Sequence, residues 1–379
     1  MKEEEEAKGL LKKLVSFDTN AENKNYLPLV KFLEGWLKKN RMKFKTVIPK
    51  TSDGTKRPTI IVEKGSGEKT LFIATHYDTV PTEREKWKTN PFELSEREGK
   101  LYGSGATDCK GNIAAGLLAL KNSNPKYKVK LLIAPDEEVG GEYGLKYLRG
   151  KKLLEGDAAI VLDAGLLPTV GASGCILGEI IVKGRGGHAG MPFLIDNPIE
   201  KAILLMQELR GYEFLREGTY SELTDEKERP IYGRFSLTVL KAGTKENVVP
   251  DEARVGFDLR SLPEESIDSV ELEFLSFFEK VVEKTEAKAE IRIKSKNPGY
   301  VSKGPFVEYI KNVFGIKKNF AEWGSNDGIF FADRMQTVCF GVGRDENNVH
   351  APNEFVYLDD IMKIKEKLER IFGDKNALA

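Results

Sequence analysis

Histidine is the scarcest informative residue in this 379-residue chain: there are only three, His76, His188 and His350. Cysteine is as sparse, and Cys109, Cys175 and Cys339 stand far apart without paired spacing. That excludes a disulfide framework or zinc ribbon and fits reduced thiols in a cytoplasmic protein. Net charge is missing too. Lys and Arg number 59, Asp and Glu also 59, so no whole-chain charge calls for nucleic acid or a membrane surface. No apolar run is long enough to span a bilayer. Met1 to Ala7 is acidic and lacks the apolar core of a signal peptide. What remains is a chain with 40% hydrophobic and 31% charged residues. A sizeable core is expected under an ion-pair-rich surface, and the length favours two or three domains.

Helical periodicity marks residues 4–15 and 27–40, the second with Leu27, Val30, Leu33 and Leu37 largely on one face. Short β-rich runs follow at Thr59–Val62 and Leu71–Ala74. A helix is expected over Gly111–Leu120, a strand over Val129–Ala134 and another over Ala158–Leu162. This alternation predicts a largely parallel α/β sheet with ligands at the C-terminal strand ends. After Gly171 the order becomes strand, helix, strand, strand, helix, strand, the signature of a ferredoxin-like unit. Residues 211–229 are polar and read as a long loop, and 294–304 as a return linker. The expected architecture is an α/β catalytic domain in two parts, residues 1–173 and 297–379. A smaller ferredoxin-like domain, 174–296, interrupts it.

The stretch Pro135-Asp136-Glu137-Glu138-Val139-Gly140-Gly141 follows a buried strand and carries three adjacent carboxylates. Like charges held together and stripped of water are costly. Either this is an acidic, solvated helix start, or a positive group sits there, and the stretch itself holds no Lys or Arg. His76 and Asp78 lie two apart at a strand end, either as a satisfied core pair or as a metal ligand with the carboxylate that orients it. Asp108 opens a helix after a glycine-rich turn, as an N-cap or as a carboxylate free to bridge two cations. Asp163 ends another strand, and His350 sits in a loop. Together His76, Asp108, Glu138, Asp163 and His350 suit a pair of zinc-like ions, with zinc, cobalt or manganese favoured over calcium. Two ions about 3.5–4 Å apart form a recognised hydrolytic device.

These stretches resemble the M20 family of metallopeptidases and deacylases. The motifs are His76-x-Asp78, Gly103-Ser-Gly105-Ala-Thr-Asp108-x-Lys-Gly111, Asp136-Glu-Glu138-x-Gly-Gly141, Gly187-His188-Ala-Gly190-x-Pro192 and His350-Ala-Pro-Asn-Glu354. The resemblance implies that Asp108 bridges two ions, that His76 and Asp163 complete one site, and that Glu138 and His350 complete the other. It implies Glu137 as general base, Asp78 as the holder of His76, and His188 as an oxyanion contact. The inserted domain would be a lid and dimer contact, so a homodimer is expected. Asn247 and Arg260 resemble substrate-binding residues of the lid, and Gly324 and Ser325 those of a loop that cradles substrate. For Arg260 a surface salt bridge is the competing role. The implied reaction is hydrolysis of a small N-acyl amino acid, as in amino-acid biosynthesis. A dipeptidase or other short-peptide activity is the alternative, because Asp163 stands where the deacylase branch has Glu. Gly184-Arg-Gly186-Gly-His-Ala189 is too weak a match to suggest a dinucleotide site, and no Gly-x-Ser-x-Gly elbow occurs. A non-catalytic scaffold with a relic site would be expected to have lost a ligand or Glu137, and none is missing.

Overall fold

The computed structural model describes residues 2–378. The chain forms two compact units. The first runs to Val170, returns at Ser302–Lys318 and resumes at Asn326. Its sheet places strands side by side in the order Lys43–Val47, Thr59–Lys64, Lys128–Ala134, Thr70–His76, Ala158–Leu162 and Gln336–Phe340. The last four are parallel. The first two are antiparallel additions at one edge, so the sheet is mixed. Every residue of Thr70–His76 and Ala158–Leu162 is buried, as strands covered on both faces require. The helix Asn112–Asn122 is buried from Asn112 to Leu120. A Cβ on its Gly116 would stand 3.3 Å from Leu162 and 3.4 Å from Leu131, so glycine there permits close helix–strand approach. Because the central strands are parallel, His76, Pro135 and Asp163 emerge together at one end of the sheet.

The second unit comprises Gly171–Val301 and Asn319–Ser325. Four antiparallel strands lie in the order Arg234–Ala242, Glu252–Arg260, Cys175–Lys183 and Lys288–Asn297. Helices Pro198–Glu217 and Ile267–Thr285 share one apolar core with them. The chain order is that of a ferredoxin-like unit.

The loop expected at 211–229 is not one. Helix continues through Gly211 to Glu217, and Tyr220–Thr224 then pairs with Pro230–Tyr232. Tertiary partners explain the difference. Tyr212 packs against Phe235, Phe274 and Phe277, and the buried Arg216 guanidinium meets Glu265 at 2.6 Å and Glu273 at 3.4 Å. The linker expected at 294–304 is also mostly strand, since Lys288–Asn297 and Tyr300–Val301 both pair. Phe320 pairs with Thr224, which draws residues 319–325 into the second unit.

Candidate metal centre

Three adjacent parallel strands deliver the first carboxylates and the first imidazole. His76 ends the middle strand; Glu137 and Glu138 follow Ala134 on one side, and Asp163 follows Leu162 on the other. Asp108 comes from the turn after Gly105, whose left-handed backbone (φ 74°) suits glycine. His350 arrives from a loop and itself takes a left-handed conformation (φ 60°), a strain of about 1–3 kcal/mol that clusters at functional sites.

His76 Nε2 lies 2.9 Å from Asp108 Oδ1 and 3.5 Å from Asp163 Oδ1. His350 Nε2 lies 3.0 Å from Asp108 Oδ2 and 3.0 Å from Glu138 Oε2. The two oxygens of Asp108 therefore face different histidines. The side chains fall into two donor sets that share Asp108: His76, Asp108, Cys109 and Asp163, then Asp108, Glu138 and His350. His76 Nε2 and Asp108 Oδ1 are buried without a hydrogen-bond partner among the described residues. An unpartnered buried imidazole nitrogen and carboxylate oxygen 2.9 Å apart fit a shared divalent metal ion.

A second layer holds these groups. Asp78 is fully buried, and its carboxylate accepts the backbone N–H of Glu137 at 3.2 Å and of Glu138 at 3.1 Å. His76 Nδ1 approaches the Asp78 backbone oxygen at 3.1 Å, closer than the carboxylate at 3.4 Å. Asp78 thus clamps the acidic turn as much as it orients the imidazole. Asp136, the first of the three adjacent acids, points away from the donor sets to Arg57, 2.8 Å distant and buried like it. The positive partner expected for that stretch comes from 79 residues upstream, with no local signal to reveal it. Glu354 is 5% exposed and accepts the N–H groups of Gly105 at 2.8 Å, Thr107 at 2.8 Å and Asp108 at 3.0 Å. Phe355–Tyr357 then pairs with Lys100–Tyr102, fastening the His350 segment to the Asp108 turn. The motif contains Glu354, but only the fold reveals that its carboxylate braces Asp108.

Electrostatics follow from this crowding. Burial first, then Asp163, Asp327 and Asp108, push Glu137 well above the ordinary carboxylate value. Glu138 and Asp163 are raised too, chiefly by burial. Burial would also raise Asp108, but the His350 and His76 imidazoles against it outweigh that and hold this carboxyl low. His350 is pushed up to about 11 by its bonds to Asp108 and Glu138. Carboxylates so close and so dry demand compensating positive charge, which divalent ions supply.

The second unit carries the other sequence-predicted residues. His188 pairs with Val248, and Ala189 N donates to the Asn247 carbonyl at 3.1 Å, so the His188 and Asn247 motifs are neighbours. His188 is exposed, and its Nδ1 accepts from Gly190 N at 3.0 Å. Arg260 grips Asp258 through Nε at 2.7 Å and Nη2 at 2.9 Å, on the same face of one strand. Gly324 is exposed and Ser325 half-buried.

Comparison with known proteins gives a consistent picture. The profile described as "Peptidase family M20/M25/M40" matches residues 72–373. An uncharacterized metallohydrolase of Methanocaldococcus jannaschii is 32% identical over 353 residues, 83% of each chain. The succinyl-diaminopimelate desuccinylase of Nautilia profundicola is 29% identical over 383 residues, 97% of this chain and 99% of that one. Among solved structures, an M20 family metallo-carboxypeptidase from Sulfolobus solfataricus superimposes with a TM-score of 0.76 at 22% identity, covering 99% and 98% of the two chains. Human carnosine dipeptidase 1 gives 0.77 at 18%, covering 97% and 95%. At these identities the structural matches establish the fold.

Proposed function

The chain belongs to peptidase family M20/M25/M40 and is a metal-dependent hydrolase; from that premise we propose that it cleaves the amide bond of a small N-acyl amino acid. The observation that carries the reading is a pair of donor sets sharing Asp108, with Glu137 beside them and in neither. The ligands proposed are His76, Asp108 and Asp163 for one ion, and Asp108, Glu138 and His350 for the other, with zinc first and cobalt or manganese as substitutes. When bound, such ions supply Lewis acidity, polarising the amide carbonyl and lowering the pKa of water.

Glu137 takes the proton of the attacking water and hands it to the leaving nitrogen. Asp78 keeps Glu137 and Glu138 in place through their N–H groups. His188 is assigned the developing oxyanion, and Asn247, Gly324 and Ser325 are assigned to substrate. Arg260 is assigned the substrate carboxylate, for which its planar fork is suited. That carboxylate has to compete with Asp258 for the fork. A homodimer through the second unit is proposed as well. Phe214 and Leu215 on helix Pro198–Glu217, with Val239 and Leu240 on the edge strand Arg234–Ala242, expose apolar surface that a partner would cover. A cytoplasmic location is proposed from the reduced cysteines; no helix among the described residues is long and apolar enough to cross a membrane.

Acyl specificity rests on the desuccinylase relative. The competing peptidase reading rests on Asp163. One assay separates them: the zinc- or cobalt-loaded enzyme against N-succinyl and N-acetyl amino acids beside dipeptides. Turnover confined to the acyl panel supports the deacylase. Turnover confined to dipeptides overturns it, and metal uptake with no turnover on either panel overturns the enzyme reading.

A further inference from the structure

The geometry points to Cys109 as a sulfur ligand of the ion held by His76, Asp108 and Asp163. The inference rests on the metal centre proposed above and adds a donor of a different chemical kind. One candidate atom from each of His76, Asp108, Cys109 and Asp163 lies within 4.8 Å of all the others. Cys109 is fully buried, and its Sγ sits 2.9 Å from Asp163 Oδ1 and 3.2 Å from the Leu162 carbonyl. A single S–H can donate to only one of those oxygens. Asn112 Nδ2 meanwhile donates to the same sulfur from 3.3 Å. The independent pointer is His76. It is 1% exposed, its Nε2 has no hydrogen-bond partner among the described residues, and it belongs to the same cluster.

Bond lengths of about 2.0–2.3 Å to nitrogen, oxygen and sulfur imply tetrahedral edges of roughly 3.3–3.8 Å. The edges here are 2.9 Å from His76 to Asp108, 3.5 Å from His76 to Asp163 and 2.9 Å from sulfur to Asp163. The two 2.9 Å edges are shorter than that, so those groups would part by roughly half an ångström to admit the ion. As the sulfur–metal bond forms, the thiol proton leaves to bulk buffer and the site gains one negative charge. The two sites then differ in kind. The Cys109 site holds a soft donor and selects zinc or cobalt, whereas the Glu138–His350 site holds only nitrogen and oxygen and accepts manganese as well.

Cobalt titration of the full-length apoprotein tests this. The expected result is a near-ultraviolet sulfur-to-cobalt charge-transfer band that saturates with one of the two sites. It should vanish in Cys109→Ser while cobalt still loads the Glu138–His350 site. Cys109→Asp should shift the preference of the altered site from zinc toward manganese, read by competition. A thiol that only hydrogen-bonds Asp163 would also weaken binding by roughly 10–100-fold on substitution, so the band, not affinity, decides. Wild-type protein that binds cobalt without the band overturns the cysteine ligand and leaves the metal centre standing, and this measurement needs no variant to fold. Protein that binds no cobalt at all overturns the metal centre itself.

Discussion

Glu137 and Glu138 are chain neighbours with different surroundings. Glu138 touches His350, while Glu137 stands outside both donor sets with its proton affinity raised by burial and by Asp163. A base needs that freedom, since a carboxylate committed to an ion has little basicity left. Glu137→Gln should therefore lower kcat by about 10²–10⁴-fold while metal content, measured by elemental analysis, stays that of the parent. Near-full activity would remove Glu137 from proton transfer. His188→Ala should lower kcat by roughly 10²–10³-fold with KM little changed, because an oxyanion contact acts mainly in the transition state. Steady-state kinetics check this, and a KM effect alone would reassign His188 to ground-state binding. The charged residue that sequence could not supply is Arg57. With its side chain 7% exposed and Asp136 fully buried, Arg57→Ala should destabilise the protein by about 3–5 kcal/mol in denaturant unfolding. Asp136→Asn in the same chain should recover part of that loss, since the pair is coupled.

Short elements do the positioning. Phe355–Tyr357 is only three residues long, yet it pairs with Lys100–Tyr102, while Glu354 accepts three N–H groups of the Asp108 turn. Two loops far apart in sequence become one frame. Glu354→Gln replaces an oxygen that accepts N–H groups with an amide that donates, so the turn should loosen. Metal affinity should fall by about 10–100-fold in calorimetric titration, as for other residues that orient ligands. Unchanged affinity would make Glu354 a fold residue only. The strands and helices around this frame were largely legible, because burial on both faces leaves continuous apolar runs and helices leave their own period. Helix Pro198–Glu217 was legible only in its first half. Tyr212 and Arg216 look like surface residues in sequence, and their buried partners, Phe274 and Glu265 among them, are far along the chain.

At the scale of the whole molecule, the first unit is assembled from three separated segments of chain. Its candidate ligands span His76 to His350, so bound ions would tie together strand ends and a loop that the chain connects only distantly. Chelation should therefore lower the unfolding temperature, and readded zinc or cobalt should restore it in a concentration-dependent way, since a ligand that binds only the folded state stabilises it. Differential scanning calorimetry with and without chelator reads this directly. An unchanged unfolding temperature would mean that metal is not coupled to the fold.

The sequence alone determined the α/β class, the ferredoxin-like order of elements and which side chains were candidates, because burial pattern and chemical type are local properties. The tertiary structure decided the rest. It split the two oxygens of Asp108 between His76 and His350, turned Asp136 toward Arg57, set Glu354 beneath the Asp108 turn and brought Cys109 into the first donor set. Each of these is a distance between residues remote in the chain or a direction taken by a side chain, and neither quantity exists until the strands have paired.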